Sequence, residues 1–295
     1  MSAHQAYPTL SPVIDKAADF IWHSARLLER VRFQHLFLDG SREAVLDALR
    51  AYQNPDGGFG NAIEPDLRAP VSLPIPTWMA FVVMDQIGCF DEAMVQRACD
   101  YLMTITSDEG GVPFILPAGQ HYPHAPWWGS VDYTASLNPT GGLVGLLSKH
   151  GIQHPWLNRA IEFCWRKIDA LDTTSEYEMH NVLSFLESVP DRDRAQQTFQ
   201  RVGPKLFEQN LVALDPKAEG AVHFPLDYAP YPDSIARPLF DNTVIEQHLD
   251  ALAASQDEDG GWSFNFLGWN AATTLEWRGW LTVSNLLILR ENGRL

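Results

Sequence analysis

Two segments near the ends of the chain carry side chains at the helical spacing i, i+3, i+4 and i+7, and all but one of these are apolar. They are Val45, Ala48, Leu49 and Tyr52, then Ile245, His248, Leu249 and Leu252. This spacing predicts two helices that each bury one face. Ser41 is expected to cap the first at its N-terminus and Asp241 or Asn242 the second, and a pair of glycines ends each one.

Four other segments are apolar over most of the helix circumference: TWMAFVVMDQIG, GGLVGLLSKHG, MHNVLSFLESV and WLTVSNLLILREN. A helix of this kind is buried on most sides. We therefore expect hairpins that pair an outer amphipathic helix with an inner apolar one. Because alternation typical of strands is scarce, the sequence predicts an all-α fold of about five to six helical hairpins.

The predicted connections between helices are unequal in length. Turns from an inner helix to the next outer helix are short, whereas those from an outer to an inner helix are long. The long ones include Gly57–Pro76, Gly110–Asn138 and Gly220–Phe240. In a ring of hairpins they would all emerge at one end, the mouth. Since long loops often carry function, we expect a site there.

A short sequence recurs near both ends of the chain. Leu46–Phe59 aligns without a gap with Leu249–Trp262, and nine of the fourteen positions are identical. A weaker copy runs through Gly110 and Gly111, and a decayed copy through Gly220. A period of about fifty residues indicates stacked supersecondary units that share one core.

Leu49–Phe59 and Leu252–Trp262 share the pattern Leu-x3-Gln-x3-Gly-x-aromatic. This pattern resembles the QW repeat of squalene–hopene cyclases and their relatives, with alanine in place of the aromatic residue before the leucine. Those proteins and the protein prenyltransferase β subunits form an α/α toroid around a central cavity. The resemblance implies one toroid over residues 1–295, with residues 1–40 as a helical segment that packs on the ring. It also implies that the motif glutamines and aromatic rings, Gln53, Phe59, Gln256 and Trp262, tie neighbouring hairpins together.

The catalytic signatures of that superfamily are absent. The chain has no D-x-D-D, no D-D-x-x-D and no Asp-x-Cys zinc set. The resemblance still implies a terpene cyclase-like enzyme, in which a carboxylic acid protonates an isoprenoid or other apolar substrate in an aromatic cavity. Two alternatives stay open: a carbohydrate-active toroid, either a polysaccharide lyase or a glycosidase, and a non-catalytic prenyltransferase-like binding protein.

Four side chains are candidates for proton transfer. In NAIEPDLRAP, alternate residues share a face if the segment is extended, so Glu64, Asp66 and Arg68 would converge on the mouth. A nearby like charge and apolar walls raise the pKa of a carboxyl group, so Asp66 is the first choice for the acid and Glu64 the second. His180, at the start of an inner helix, and Asp227 are further candidates. The structural alternatives are a salt-bridged loop, a rim histidine and a proline-rich surface crossing.

Ten aromatic or polar residues in the same regions are predicted to bind substrate. They are Arg68, Trp127, Trp128, Tyr133, Asn181, Tyr228, Trp269, Glu276, Arg278 and Trp280. Aromatic faces suit a hydrocarbon, a developing cation or a sugar. Glu276 and Arg278 are expected to form a buried ion pair beside three tryptophans. The pair His121 and His124 supplies too few ligands for a metal, so no metal site is predicted.

Composition narrows the class of partner. A net charge of −16 argues against nucleic acid, and no apolar stretch is long enough to span a membrane. The three cysteines form no C-x-x-C pair, which argues against a disulfide framework. Without a signal-peptide pattern, a cytoplasmic location is expected. The expected partner is a small-molecule substrate and no cofactor is expected, apart from Mg²⁺ if the substrate is a diphosphate. The oligomeric state is left open.

Overall fold

The computed structural model describes residues 11–129 and 132–295, and within these ranges the regular elements are helices. The predicted all-α fold class is therefore confirmed. The helices are α1 Pro12–Ser24, α2 Leu27–Phe37, α3 Arg42–Arg50, α4 Pro74–Gln86, α5 Glu92–Thr104, α6 Leu137–Lys149, α7 Pro155–Asp169, α8 Glu176–Ser188, α9 Arg192–Val202, α10 Lys205–Glu208, α11 Pro225–Tyr228, α12 Asn242–Ala254 and α13 Ala271–Glu291. Of the expected N-terminal helical segment, residues 1–10 lie outside the described residues.

The helix caps match the sequence prediction. Ser41 caps α3, since its Oγ accepts a hydrogen bond from the Glu43 N–H at 3.2 Å. Of the two candidates for α12, Asp241 is the cap and Asn242 is the first helical residue, because Asp241 has an extended backbone and its Oδ1 accepts from the Thr243 N–H at 2.7 Å. Within the described ranges, no helix has the length and apolar character needed to cross a bilayer.

The apolar helices pack on one another in chain order. Helix α4 contacts α6, α6 contacts α8, and α8 contacts α11. The packing of α6 on α8 is close, because Gly141 and Gly145 lie against the backbone carbonyls of Asn181 and Ser184. The last helix, α13, contacts α12 and also the first two helices, α1 and α2.

Three of the repeat copies form the same turn. Gly57, Gly110 and Gly260 have φ values of +94°, +100° and +91°, in the left-handed region that favours glycine. At each of them an added Cβ would lie less than 3 Å from a backbone carbonyl oxygen of another helix, in α5, α7 and α1 respectively. The repeat therefore sets the distance between each turn and a neighbouring outer helix.

The motif glutamines and aromatic rings pack as the resemblance implies. Gln53 Nε2 donates to the Gly57 carbonyl and to Met94 in α5, both at 2.9 Å. Gln256 Nε2 donates to the Gly260 carbonyl and to Val13 in α1 at the same distances. Phe59 and Trp262, the aromatic residues of the two motifs, are fully buried. Helix α1 thus stands in the same relation to the last turn as α5 does to the first.

The fourth copy, at Gly220, keeps only part of this geometry. Its φ of +93° matches the other three turns, but nothing lies within 4 Å of an added Cβ. In the intact turns, the backbone N–H two residues after the first glycine donates to a threonine hydroxyl of an inner helix. Here Val222 N–H instead donates to the Gly220 carbonyl. This turn is not held against a neighbouring helix.

Candidate functional site

The long connections contact one another. The Arg68 N–H donates to the Pro123 carbonyl, and Ala125 N–H donates to the Asp66 carbonyl, both at 2.9 Å. Asn265, in the connection between α12 and α13, donates from its Nδ2 to the Val222 carbonyl of the connection after Gly220, at 2.9 Å. The polar residues of these connections are therefore brought into one region.

The segment that carries Glu64, Asp66 and Arg68 is not extended as the sequence analysis expected. Pro65 and Asp66 form the centre of a turn, in which the Leu67 N–H donates to the Glu64 carbonyl at 3.2 Å. Proline favours this position because its φ is already fixed near the value that a turn requires. The turn buries Glu64 and Asp66, which are 4% and 2% exposed. Arg68 stays half-buried.

Among the described residues, no cationic group lies within hydrogen-bonding distance of the Glu64 carboxyl group. Its Oε1 accepts from the Asp66 N–H at 2.9 Å. Burial raises the pKa of Glu64 to about 8, with a further rise from the carboxylates of Asp66 and Glu276. The Asp66 N–H and the charge of Arg26 oppose this rise only in part. At neutral pH Glu64 is therefore a neutral acid that can donate a proton.

Asp66 lies against the last inner helix. Its Oδ2 accepts from the Trp277 Nε1–H at 2.8 Å, while Oδ1 is buried with no hydrogen-bond partner in the described part of the chain. Burial raises the pKa of Asp66 above its ordinary value, against the opposing effect of the Trp277 N–H. The two sequence-predicted acids thus adjoin each other, and Glu64 rather than Asp66 has the stronger hold on its proton.

The expected ion pair between Glu276 and Arg278 does not form. Residues two apart on a helix point to different sides, so the two side chains cannot meet. Glu276 pairs with Arg68 of the first connection, and its Oε2 lies 3.8 Å from Arg26 Nη1. Arg278 instead binds Asp257 and Asp259, at 2.9 and 2.7 Å, and lies over the ring of Phe20.

Buried charges continue from Glu276 into α2. Arg26 binds Glu29 through two hydrogen bonds, at 2.7 and 3.0 Å. Arg32, fully buried, has Nη1 3.8 Å from Glu29, hydrogen-bonds Gln86 of α4 and lies over the ring of Trp280 at 4.3 Å. Trp280, predicted to bind substrate, is therefore covered by a guanidinium group.

The charges of this cluster nearly cancel. It contains three guanidinium groups, Arg26, Arg32 and Arg68, and four carboxyl groups, Glu29, Glu64, Asp66 and Glu276. Burial lowers the pKa of Arg32 to about 10, so all three guanidinium groups are charged at neutral pH. One carboxyl group in excess favours retention of a proton. Glu64 is the carboxyl group of the four that has no guanidinium or indole donor.

A second polar cluster joins α8 to the third connection. His180 stacks on Tyr228 with ring centroids 4.4 Å apart and planes 9° apart, and its Nε2 lies 3.1 Å from His223 Nδ1. Tyr177 meets His223 edge-on at 5.0 Å. Asp227 Oδ2 accepts from the Phe224 N–H at 2.7 Å. His180, Asp227 and Tyr228, predicted from the sequence as separate candidates, are thus brought together.

Tyr177 lies near carboxyl groups of both clusters. Desolvation raises the pKa of Asp227, although its side chain keeps contact with solvent. Tyr177, which is 61% exposed, has a raised pKa through burial of its ring and through the nearby charges of Glu176, Asp227 and Glu64. Glu64 and Asp227, which belong to different connections, therefore both lie near enough to Tyr177 to raise its pKa.

An open cleft of about 420 Å³ lies beside the first turn of α8. Its lining is one aromatic ring and a set of polar side chains: Phe114, Ser136, Asn138, Thr173, Thr174, Ser175 and Glu178. Phe114 stacks on the predicted site residue Trp128 with ring centroids 4.7 Å apart. The first turn of α8 contributes to the cleft through Ser175 and Glu178 and to the histidine cluster through Tyr177.

The remaining predicted binding residues are dispersed. Trp127 and Tyr133 are exposed, and Trp269 is half-buried near the start of α13. Asn181 is occupied by packing, since its Oδ1 accepts from the Gly142 N–H at 3.1 Å and its Nδ2 donates to the Tyr177 carbonyl. His121 and His124 belong to no cluster of three metal-ligating side chains in the described ranges, where no such cluster occurs.

Sequence reasoning missed five residues of the site: Arg26, Glu29, Arg32, Tyr177 and His223. The first three are charged residues at positions i, i+3 and i+6 of ARLLERVRFQ, and the buried residues of α2 include the charged side chains of Glu29 and Arg32. That spacing is a signal available from the sequence. His223 follows the decayed glycine turn, where only the echo of the repeat drew attention.

No family model, no curated protein and no solved structure matches this chain. The function is therefore argued from the geometry of the two clusters and the cleft.

Proposed function

We propose that the hairpins close into an α/α ring. Support comes from the equivalent bonds of Gln53 and Gln256, which place α1 against the last turn as α5 lies against the first. The contacts of α13 with α1 and α2 join the two ends of the chain. The contacts among the long connections agree with a single mouth.

We propose that this ring is an enzyme in which Glu64 acts as a general acid. The observation that carries the proposal is a buried carboxyl group with a pKa near 8 that accepts the Asp66 N–H and lies beside a second buried carboxyl group. A general acid works best when its pKa lies close to the working pH. A non-catalytic binding protein is expected to have mouth carboxylates with ordinary pKa values. The raised pKa of Glu64 argues against that alternative.

The substrate class favoured by the lining is a neutral carbohydrate, with hydrolysis of a glycosidic bond as the reaction. Hydroxyl, amide and carboxyl groups around one aromatic ring, as in the cleft beside α8, suit a sugar face and its hydroxyl groups. The net charge of −16 would repel a uronic-acid polymer. Glu64 would protonate the leaving oxygen while water attacks the anomeric carbon.

A second candidate is the protonation of an isoprenoid alkene, the reaction implied by the family resemblance. It keeps Glu64 as the acid and is favoured by the aromatic rings beside Asp66, where Phe266 meets Trp277 edge-on at 6.2 Å. It ranks second because three guanidinium groups, of Arg26, Arg32 and Arg68, lie in the same region, and positive charge would destabilise a carbocation.

The test is turnover of two substrate panels by the wild-type protein and by Glu64→Gln. Neutral oligosaccharides are assayed for new reducing ends, and prenyl diphosphates and polyenes are assayed for cyclic products. We expect hydrolysis of a neutral oligosaccharide, a loss of about 10²–10⁴-fold in kcat/KM for Glu64→Gln, and wild-type activity that falls as the pH rises through about 8.

The matched control is Glu219→Gln, because Glu219 is an exposed glutamate outside both clusters. It should leave kcat/KM unchanged. Cyclic products with no hydrolysis would favour the second candidate. The absence of turnover in both panels, or equal activity of wild type and Glu64→Gln, would contradict the assignment of Glu64 as an acid.

A further inference from the structure

The paired histidines His180 and His223 are held in a fixed geometry. His180 lies flat on Tyr228, and the Tyr228 hydroxyl donates to the Leu211 carbonyl at 2.8 Å. His223 is anchored by its backbone as well as its ring, since its carbonyl accepts from the Ala213 N–H at 2.8 Å. The 3.1 Å separation between His180 Nε2 and His223 Nδ1 is therefore set by packing on both sides.

Two ring nitrogens at this distance share one hydrogen, so one of them donates and the other accepts. Burial and the neighbouring His223 ring lower the pKa of His180 to about 3, so His180 stays neutral near neutral pH. With His180 neutral, the His223 Nδ1–H can donate to the lone pair of His180 Nε2. In that orientation Nε2 of the neutral His223 has a free lone pair.

The surroundings of the pair suit a base that becomes positively charged. Tyr177 and His180 face His223 from α8, and Asp227 and Tyr228 face it from its own connection. On α12, His248 lies near Asp227, but its Nε2 is bound to the Leu214 carbonyl at 3.0 Å. Asp227 is the carboxylate of this set that would stabilise a charged His223.

We propose that His223 is the general base of the reaction and that His180 is a positioning residue that fixes its tautomer. The inference rests on the proposed function, because Glu64 would be the acid of the same reaction. His223 Nε2 would accept a proton from water while the water oxygen bonds to the anomeric carbon. The glycosidic C–O bond breaks, and its oxygen takes the proton of Glu64.

The first experiment is a histidine-selective NMR titration of the full chain. We expect His180 to stay neutral down to about pH 4 and His223 to take up the proton, with its Nδ1–H retained in both states. In His180→Phe, which keeps the stack on Tyr228 but removes the acceptor, the fixed tautomer of His223 should be lost. Protonation of His180 before His223 would overturn the positioning role.

The second experiment is the pH profile of kcat/KM in the hydrolysis assay. His223→Gln should lower kcat/KM by about 10²–10⁴-fold and remove the acid limb of the profile. His180→Phe should shift that limb with a smaller loss. The control is His23→Gln, because His23 is an exposed residue that bonds only a carbonyl of its own helix, and it should match wild type.

The outcomes separate the two proposals. If Glu64→Gln is inactive while His223→Gln keeps its activity and its acid limb, His223 is not the base and the function of Glu64 stands. If neither panel is turned over, the proposed function fails and the catalytic assignment of His223 fails with it. The NMR titration then still decides which histidine carries the proton.

Discussion

The connections that follow Gly57 and Gly220 occupy corresponding places in the repeat, but the structure holds them differently. After Gly57, the turn lies against α5, and the chain continues into the buried pair Glu64 and Asp66. After Gly220, no helix lies against the turn, and the chain continues into His223 and Asp227, which keep contact with solvent.

The difference shows what the repeat does. An intact turn fixes its glycine and its aromatic residue against neighbouring helices, so its residues are used for packing. Where the motif has decayed, the same left-handed glycine remains, but the residues after it are not packed in the same way. Polar side chains that would be costly to bury in a tight turn can then keep contact with solvent.

The largest expected effect compares alanine at the two kinds of turn. Gly260→Ala would place a Cβ against the Lys16 carbonyl of α1 at a φ of +91°, and we expect a loss of about 3–5 kcal/mol in the free energy of unfolding. Gly220→Ala meets only the strain of its positive φ, a loss of about 1 kcal/mol. Chemical denaturation followed by circular dichroism measures both.

Gly57→Ala is the matched variant at the first turn and should behave as Gly260→Ala does, since its Cβ would meet the Arg97 carbonyl. Equal losses at Gly220 and Gly260 would show that backbone strain, rather than the approach of a neighbouring helix, dominates. The comparison between intact and decayed turns would then have no energetic basis.

The next effect concerns the acids that follow the two turns. Because the pKa of Glu64 is raised in the folded state, folding favours its protonated form, and stability is lost as the pH rises from about 4.5 to about 8. Glu64→Gln removes this dependence. We expect it to be more stable than wild type by roughly 2–4 kcal/mol at pH 9 and nearly equal at pH 4.

Asp227→Asn is the counterpart at the third connection. The pKa of Asp227 is also raised, so the sign is the same, but its side chain is open to solvent and the gain at high pH should be much smaller. Thermal unfolding at several pH values checks both variants. A wild-type stability that does not change between pH 5 and pH 9 would contradict the neutral state of Glu64.

A third effect tests whether α1 serves as the outer helix of the last turn. Gln256→Ala and Gln53→Ala each remove two hydrogen bonds to backbone carbonyls, at an expected loss of about 1–2 kcal/mol. Hydrogen exchange should show reduced protection in α1 for the first and in α5 for the second. Gln197→Ala, on the exposed face of α9, is the control and should change little. Unchanged protection of α1 in Gln256→Ala would argue against the proposal that the hairpins close into a ring.

Sequence periodicity was enough to predict the helices and the turns, because both depend on local chemistry. An amphipathic segment such as α3 needs one buried face, and a Gly-Gly pair after it needs a left-handed residue. The candidate acids Glu64 and Asp66 were chosen because alternate residues of an extended segment share a face, whereas the structure brings them together through a turn. The sequence did not predict which of the two has the higher pKa, because that depends on burial and on the hydrogen bond from Trp277.

The ion pairs and the histidine pair were beyond sequence reasoning for a physical reason. Glu276 meets Arg26 and Arg68 because the last helix packs on the first part of the chain, whereas the expected pairing with Arg278 ignored the helical spacing of the two residues. His223 meets His180 through a turn whose motif has decayed, so no pattern predicted where its side chain would lie.

The smallest effect concerns the threonines that hold the intact turns. The hydroxyl groups of Thr77 and Thr282 accept the N–H of Phe59 and Trp262, each at 3.2 Å, and Val222 has no such partner. Thr77→Val and Thr282→Val keep the shape but leave a buried N–H unbonded, at a cost of about 1 kcal/mol each. Thr104→Val, at the exposed end of α5, should cost less. Denaturation midpoints that do not separate these variants would show that the aromatic residue and the glycine alone hold the turn.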